Sequence, residues 1–507
     1  MYYTVYKPAA GGTLLAVSIA GQIILQGVHH MKTRRLTKKE MRIFAVGQLG
    51  WSILSGIITA WLVTFYLPTT GDIEAGAPTY LPSGLIILGI LTILGLISFI
   101  CRIFDAVTDP LIASLSDRSK NPKGRRIPYM KRAAIPFAIV AVLVFFAPQA
   151  NPASISWVNI IWVLAALILF YLFMTMYCTP YNALISEFGK TQEDRMYIST
   201  AISLTFFFGT MIAYLPFVLA GVLRGMGLSF PWSYRVCFIV LAAIAGVCML
   251  IPAFKLNEKD FVDAEPSDTN TFKSLAKTFK NKEFLKFSAS DIAYFIALTL
   301  FQTGLPFFVK VSMKLDESYT MIFLGAMTVL SACFYPIVSG LVRKFGKKKL
   351  VIAGFLGLAL AYVITALINV IPGFTGIIPG VLIVIIAAFP MALLGIIPQS
   401  IVADVAEEDA IRTGEKREGM FFAARTFAMK LGQSVAMLVF TSLAVIGTTQ
   451  DLKSNDLTAS PIGLRIIAIV AVVFCVLGAV ILALYNEKKV MDTIEAAHEK
   501  ENEQPKE

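Results

Sequence analysis

The sequence predicts an all-α polytopic membrane protein with twelve spanning helices in two groups of six. Three observations point there. Hydrophobic residues make up 57% of the 507-residue chain and charged residues only 15%, against roughly 25% charged in a soluble domain. A soluble fold cannot bury that much apolar surface, and disordered chains have the opposite composition. The apolar residues also form long continuous runs of roughly 20, which selects helices over the alternating strands of a β-barrel. Finally, 44 Lys plus Arg against 33 Asp plus Glu leave a net charge of +11. In a soluble protein that balance suggests nucleic acid; here it reads as the basic bias of cytoplasmic loops, with no nucleic-acid partner.

The runs follow in order. The first covers 43–67, the second 84–115, the third 133–149, the fourth 157–186, the fifth 196–223 and the sixth 235–255. A polar stretch at 257–284 then divides the chain. The second half repeats the count at 285–311, 319–342, 350–371, 376–403, 419–446 and 462–485. The expected units are bundles at 43–256 and 285–485, a leader and cytoplasmic segment at 1–42, and a tail at 486–507. In the leader, Met31 opens a basic stretch and Gly12 to Val28 is too short to span, so translation is expected to begin at Met31.

Loop charge sets the expected orientation. Arg118, Lys120, Lys123, Arg125, Arg126, Lys131 and Arg132 lie between the second and third runs. Arg343, Lys344, Lys347, Lys348 and Lys349 lie between the eighth and ninth. Pro68 to Ser83 and Gln149 to Ser156 hold neither Lys nor Arg. Both termini are therefore expected inside a bacterial inner membrane. Ser116-Asp117-Arg118 leading to Gly124-Arg125-Arg126 is echoed by Val342-Arg343-Lys344 leading to Gly346-Lys347-Lys348, as in parallel repeats. In the central stretch, Phe272, Leu275, Ala276 and Phe279 recur at helical spacing with lysines between them. They read as a basic amphipathic helix on the inner leaflet or a solvated linker.

Charges inside the runs carry the functional reading, since each costs roughly 2.5–3.5 kcal/mol to insert. In the second run, Arg102, Asp105, Thr108 and Asp109 fall near one helix face. Two acids one turn apart can hold a small cation, share a proton, or form a structural pair neutralised by Arg102. The fourth run carries Thr175, Cys178, Tyr181 and Asn182 in a polar stripe ending at Glu187. Asp291 and Tyr294 sit early in the seventh, and Asp404 ends the tenth as a gate or surface charge. Arg425 and Lys430 of the eleventh run are about 140° apart on the helix. Lys430 needs a carboxylate partner, for which Asp105 or Asp109 is the candidate. The six cysteines read as small hydrophobes, and the histidines His29, His30 and His498 lie outside the runs. No catalytic or nucleotide motif is present, so the chain reads as no enzyme, with no cofactor, driven by an ion gradient.

These motifs carry a resemblance. Arg102-Ile-Phe-Asp105-Ala-Val-Thr108-Asp109-Pro110, with Asp117-Arg118 and Gly124-Arg125-Arg126, is one. Pro180-Tyr181-Asn182 through Glu187 to Arg195, and Asp404 through Arg417-Glu418-Gly419 to Lys430-Leu-Gly432, are the others. Together they resemble the glycoside–pentoside–hexuronide:cation symporters of the major facilitator superfamily, whose members include the melibiose carrier. The resemblance implies a major facilitator fold, two six-helix bundles with alternating access, and symport of a sugar or glycoside with Na+ or H+. Asp105, Asp109, Thr108 and Thr175 would meet the cation. Ser52, Cys178, Asn182, Tyr181, Arg425 and Lys430 would line the substrate side. Arg102, Asp117, Arg118, Arg126, Glu187, Arg195 and Asp404 would act in gating.

Departures refine the substrate. Ser52 and Cys178 stand where the melibiose carrier grips sugar with aspartates, and Arg425 replaces a neutral glutamine. Two negative charges lost and one positive gained suggest an acidic glycoside such as a hexuronide, unless Arg425 faces an acid instead. The expected partners are that sugar, a monovalent cation and the bilayer, around a monomer. The competing readings are an amphiphile or lysolipid carrier and a non-transporting sugar sensor.

Overall fold

A computed structural model describes residues 34–503 except 86, 88–90, 120, 122–123, 153, 262–270, 415–417 and 448–456. The expected start at Met31 and the leader lie outside the described residues. The first half comprises α1 (Lys38–Tyr66), a short α2 (Thr70–Glu74), α3 (Ile93–Asp117), α4 (Ile127–Leu143), α5 (Trp157–Phe188), α6 (Gln192–Ala213), α7 (Pro216–Gly225) and α8 (Phe230–Lys255). After α9 (Thr271–Thr278) come α10 (Lys282–Phe307), α11 (Ser318–Phe345), α12 (Lys347–Leu367), α13 (Ile377–Thr413), α14 (Glu418–Ala444), α15 (Pro461–Ala483) and α16 (Glu487–Glu503). Among the described residues the protein is all-helical, with the long apolar helices of a multi-pass membrane protein.

Ten helical spans among the described residues are long and apolar enough to cross a bilayer, the fifth span being α6 and α7 taken together. Two further helices complete the set. One is α3, whose apolar run is interrupted by Arg102, Asp105 and Asp109. The other is α4, only 17 residues long. Local chemistry sets the helix starts: Thr37 and Glu40 form a capping box on α1, Thr92 caps α3 and Ser460 caps α15. Small residues then bring helices together. A Cβ on Gly50 of α1 would lie 2.5 Å from the Ala245 carbonyl of α8, so only glycine permits that approach.

Several expected boundaries move. The second helix begins at Ile93 rather than 84, because Ile87 and Leu91 pair as an extended bridge before it. The fifth span breaks between Ala213 and Pro216, where proline cannot donate to the helical ladder. The tenth runs on to Thr413, so Asp404 lies inside a helix rather than at its end. The central amphipathic segment forms α9, but it packs on α14 and α3. Leu275 and Phe279 turn onto the protein core instead of a leaflet.

One face gathers the chain ends. The Arg34 amide donates to the Asp260 carbonyl at 3.0 Å, and α16 packs on α13. On this terminal face the sequence echo becomes a repeated structure. Gly124 (φ +113°) and Gly346 (φ +81°) each turn the chain into a helix start through a conformation glycine favours. Glu258 accepts the backbone N–H groups of Arg125, Arg126 and Ile127 at 3.0, 2.8 and 3.0 Å. Glu487 accepts those of Lys347 and Lys348 at 2.7 and 3.1 Å. Each glutamate lies beyond the last spanning helix of its half and closes the bundle by capping the third one.

Candidate functional site

The site lies where α3 and α5 of the first half meet α14 of the second. Asp105 and Asp109 are one turn apart on α3, and Thr175 and Thr179 are one turn apart on α5. They form two rungs: the Thr175 hydroxyl donates to Asp105 Oδ1 at 3.0 Å, and the Thr179 hydroxyl to Asp109 Oδ1 at 3.2 Å. A proline follows each pair, Pro110 on α3 and Pro180 on α5, and interrupts the helical ladder there. Lys430 enters from α14. Its ammonium lies 2.7 Å from Asp105 Oδ1 and 2.6 Å from Asp109 Oδ2.

Arg102 completes the charge balance, with Nη1 3.8 Å from Asp105 Oδ2 and its guanidinium 4.8 Å from the centre of the Tyr171 ring. Two acids thus face two bases. Asp105 is fully buried, whereas the Asp109 side chain is 25% exposed. Asp105 Oδ2 is a buried atom without a hydrogen-bond donor. The oxygen donors Asp105, Asp109, Thr175 and Thr179 suit a hard cation. Among the described residues, no group of three His, Cys, Asp or Glu side chains could hold a metal.

Other sequence-derived candidates sit apart from this cluster. Thr108 turns its hydroxyl to the Asp105 carbonyl at 3.0 Å, a bond within its own helix. Ser52 is fully buried, with its hydroxyl on the Gln48 carbonyl at 2.6 Å and Gly209 of α6 packed over it. Tyr181 is fully buried, stacked on Phe44, and donates to the Phe44 carbonyl at 2.9 Å. Helix packing thus occupies Ser52 and Tyr181. Cys178 is half-buried and Asn182 exposed. Arg425 grips Asp291 with Nε at 2.7 Å and Nη2 at 3.2 Å, so its charge is already matched within the second half. The charge-gain reasoning built on Arg425 is corrected by that pair.

Three of the expected gating residues, Arg126, Glu187 and Asp404, tie each half to itself, whereas Arg102 belongs to the central cluster. Arg125 and Arg126 both reach Glu187 at 2.9 Å in the first half, and Lys347 reaches Asp404 at 2.5 Å in the second. Arg118 is exposed beyond the end of α3. The side chains of Asp117 and Arg195 lie outside the described residues.

Sequence reading missed two features. Thr179 follows Thr175 by four residues, the same spacing that singled out the two aspartates. The second is a cross-bundle network on the face opposite the termini. There Lys310, in a π-helical turn at Phe308–Ser312, pairs with Asp72 of the first half and with Glu317 at 3.3 Å. Glu317 in turn receives Arg224 at 2.8 Å and the Tyr234 hydroxyl at 2.9 Å, both from the first half. No single segment announces that network, because its members come from five separate elements.

Known proteins resemble this chain in sequence and in fold. The chain is 23% identical over 94% of its length to a candidate sulfoquinovose importer of Escherichia coli (strain K12), covering 96% of that protein. It is 23% identical over 77% of its length to YagG of the same organism, a candidate glycoside/cation symporter, covering 81% of it. The inward-open structure of the xylose transporter XylE from E. coli superposes with a TM-score of 0.58 at 15% identity, covering 90% of this chain and 98% of XylE. Residues 43–488 match the family described as MFS/sugar transport protein, and the chain belongs to that family.

Proposed function

We propose that the protein is a secondary active transporter that carries a sugar or glycoside together with a cation, Na+ or H+, by alternating access. The carrying observation is Lys430, a cation from the second bundle held between Asp105 and Asp109 of the first at 2.7 and 2.6 Å. In this reading the incoming cation takes the two carboxylates and releases Lys430. The freed ammonium then faces the sugar. Burying unmatched charge is costly, so the bundles rock only when both ligands have restored neutrality. The terminal face is cytoplasmic, as the basic loops favour.

The finer substrate class is an acidic sugar such as a hexuronide. Arg425 does not supply its charge, being matched by Asp291. The four charges of Arg102, Asp105, Asp109 and Lys430 sum to zero, so one added cation leaves a single positive charge for a monoanionic sugar to balance. The likeness to a sulfoquinovose importer supports an acidic cargo.

The test is counterflow in proteoliposomes with a panel of labelled neutral and acidic sugars. Wild-type protein is expected to exchange an acidic sugar, and Asp105→Asn to lose the ion dependence of uptake. Exchange of no sugar by well-folded protein would sink the carrier reading and favour a sensor. Exchange of neutral sugars alone would end the acidic assignment only.

A further inference from the structure

We propose that Thr179 is a specificity-determining ligand of the coupling-ion site and that its hydroxyl makes this site select a sodium-sized metal ion over a proton. The inference rests on the symporter reading above. Thr179 bonds to Asp109 as Thr175 bonds to Asp105, at 3.2 and 3.0 Å. The two rungs bring four oxygen-bearing side chains together from two helices. The Asp105 carbonyl adds a fifth oxygen, 3.4 Å from the Lys430 ammonium.

That ammonium occupies the position a bound cation would need, touching both carboxylates at 2.7 and 2.6 Å. Asp105 Oδ2 faces Arg102 at 3.8 Å and is buried without a hydrogen-bond donor, so this carboxylate keeps acceptor capacity unused. A proton needs only one carboxylate lone pair. A bare metal ion must replace its lost water by several oxygens at once. A hydroxyl can turn its hydrogen away and present a lone pair. Thr179 is therefore dispensable for protonation and needed for metal binding. Because Asp109 is partly exposed and Asp105 is not, the Asp109–Thr179 rung is the entry side of the site.

The experiment measures saturable binding of radioactive sodium to the purified full chain, without any sugar. Thr179→Val keeps the shape and removes the oxygen. It is expected to raise the half-saturating sodium concentration roughly tenfold, the equivalent of one lost polar contact. Thr179→Ser restores the oxygen and is expected to bind like wild type. Should Thr179→Val elute as an aggregate, Thr179→Ala carries the same comparison. Wild-type-like sodium binding by the folded Val or Ala variant would overturn the assignment. So would wild-type protein that moves sugar with protons and binds no sodium, an outcome that leaves the carrier reading intact. Sodium binding with no sugar counterflow would instead sink the carrier reading alone.

Discussion

The two faces of the molecule use charge in opposite ways. On the terminal face, Glu258 and Arg125/Arg126–Glu187 tie the first bundle to itself, and Glu487 and Lys347–Asp404 do the same for the second. On the opposite face, Asp72, Arg224 and Tyr234 of one bundle meet Lys310 and Glu317 of the other. Pairs inside a bundle travel with it as a rigid body. Pairs between bundles hold the molecule closed at that face, where a methyl on Gly95 of α3 would also collide with Thr441 of α14. In the alternating-access cycle proposed above, holding a bundle together and timing its motion are separate jobs: only the second set has to break when the halves rock.

Breaking the bridging network is expected to have the largest effect. Lys310→Met leaves Asp72 and Glu317, both 7% exposed, without their shared cation. Loss of one partner from such a buried pair costs about 3–5 kcal/mol, enough to move a two-state population on the order of a hundredfold or more. Labelling of a cysteine introduced at the buried Thr441, which leaves Gly95 unaltered, should accelerate accordingly in a background lacking the native cysteines. Unchanged labelling would mean that the network does not hold that face shut.

Glu258→Gln comes next and sharpens the contrast. It weakens three N–H contacts at a glutamate only 2% exposed, at a cost of about 1–3 kcal/mol. Glu487→Gln weakens two contacts and should cost less. Thermal unfolding in detergent should rank them in that order, while opposite-face labelling stays at the wild-type rate for both. A labelling change equal to that of Lys310→Met would erase the distinction between the faces. The smallest effect is expected for Thr70→Val, which removes an exposed cross-bundle hydroxyl contact to Thr458 at 3.1 Å. Its influence on stability should stay within about 0.5 kcal/mol.

Much of the architecture is legible because it is local. An apolar run of spanning length must satisfy its backbone internally, so it becomes a helix wherever it packs. The acids Asp105 and Asp109 stand out for the same reason, since their cost depends on the bilayer alone. Thr179 is equally visible by its spacing from Thr175, but a hydroxyl in a membrane helix is cheap and so, unlike a charge, does not mark itself by its cost. Arg425 stood out as a charge, but the sequence left its partner open. Asp291 lies 134 positions away and becomes its neighbour only when α10 packs against α14.

The sequence alone determined which segments enter the membrane, the two-fold echo in the basic turns, and the pair of acids set into the second span. Tertiary structure decided that Lys430 meets those acids, that Arg425 is already matched, and that Lys310 and Glu317 hold hands with Asp72 and Arg224 across the bundles. The reason is range. Helix formation and insertion are fixed within windows of roughly 20 residues, whereas an ion pair depends on which helix faces pack together, and that is set by the fit of small residues and side chains far apart in the chain.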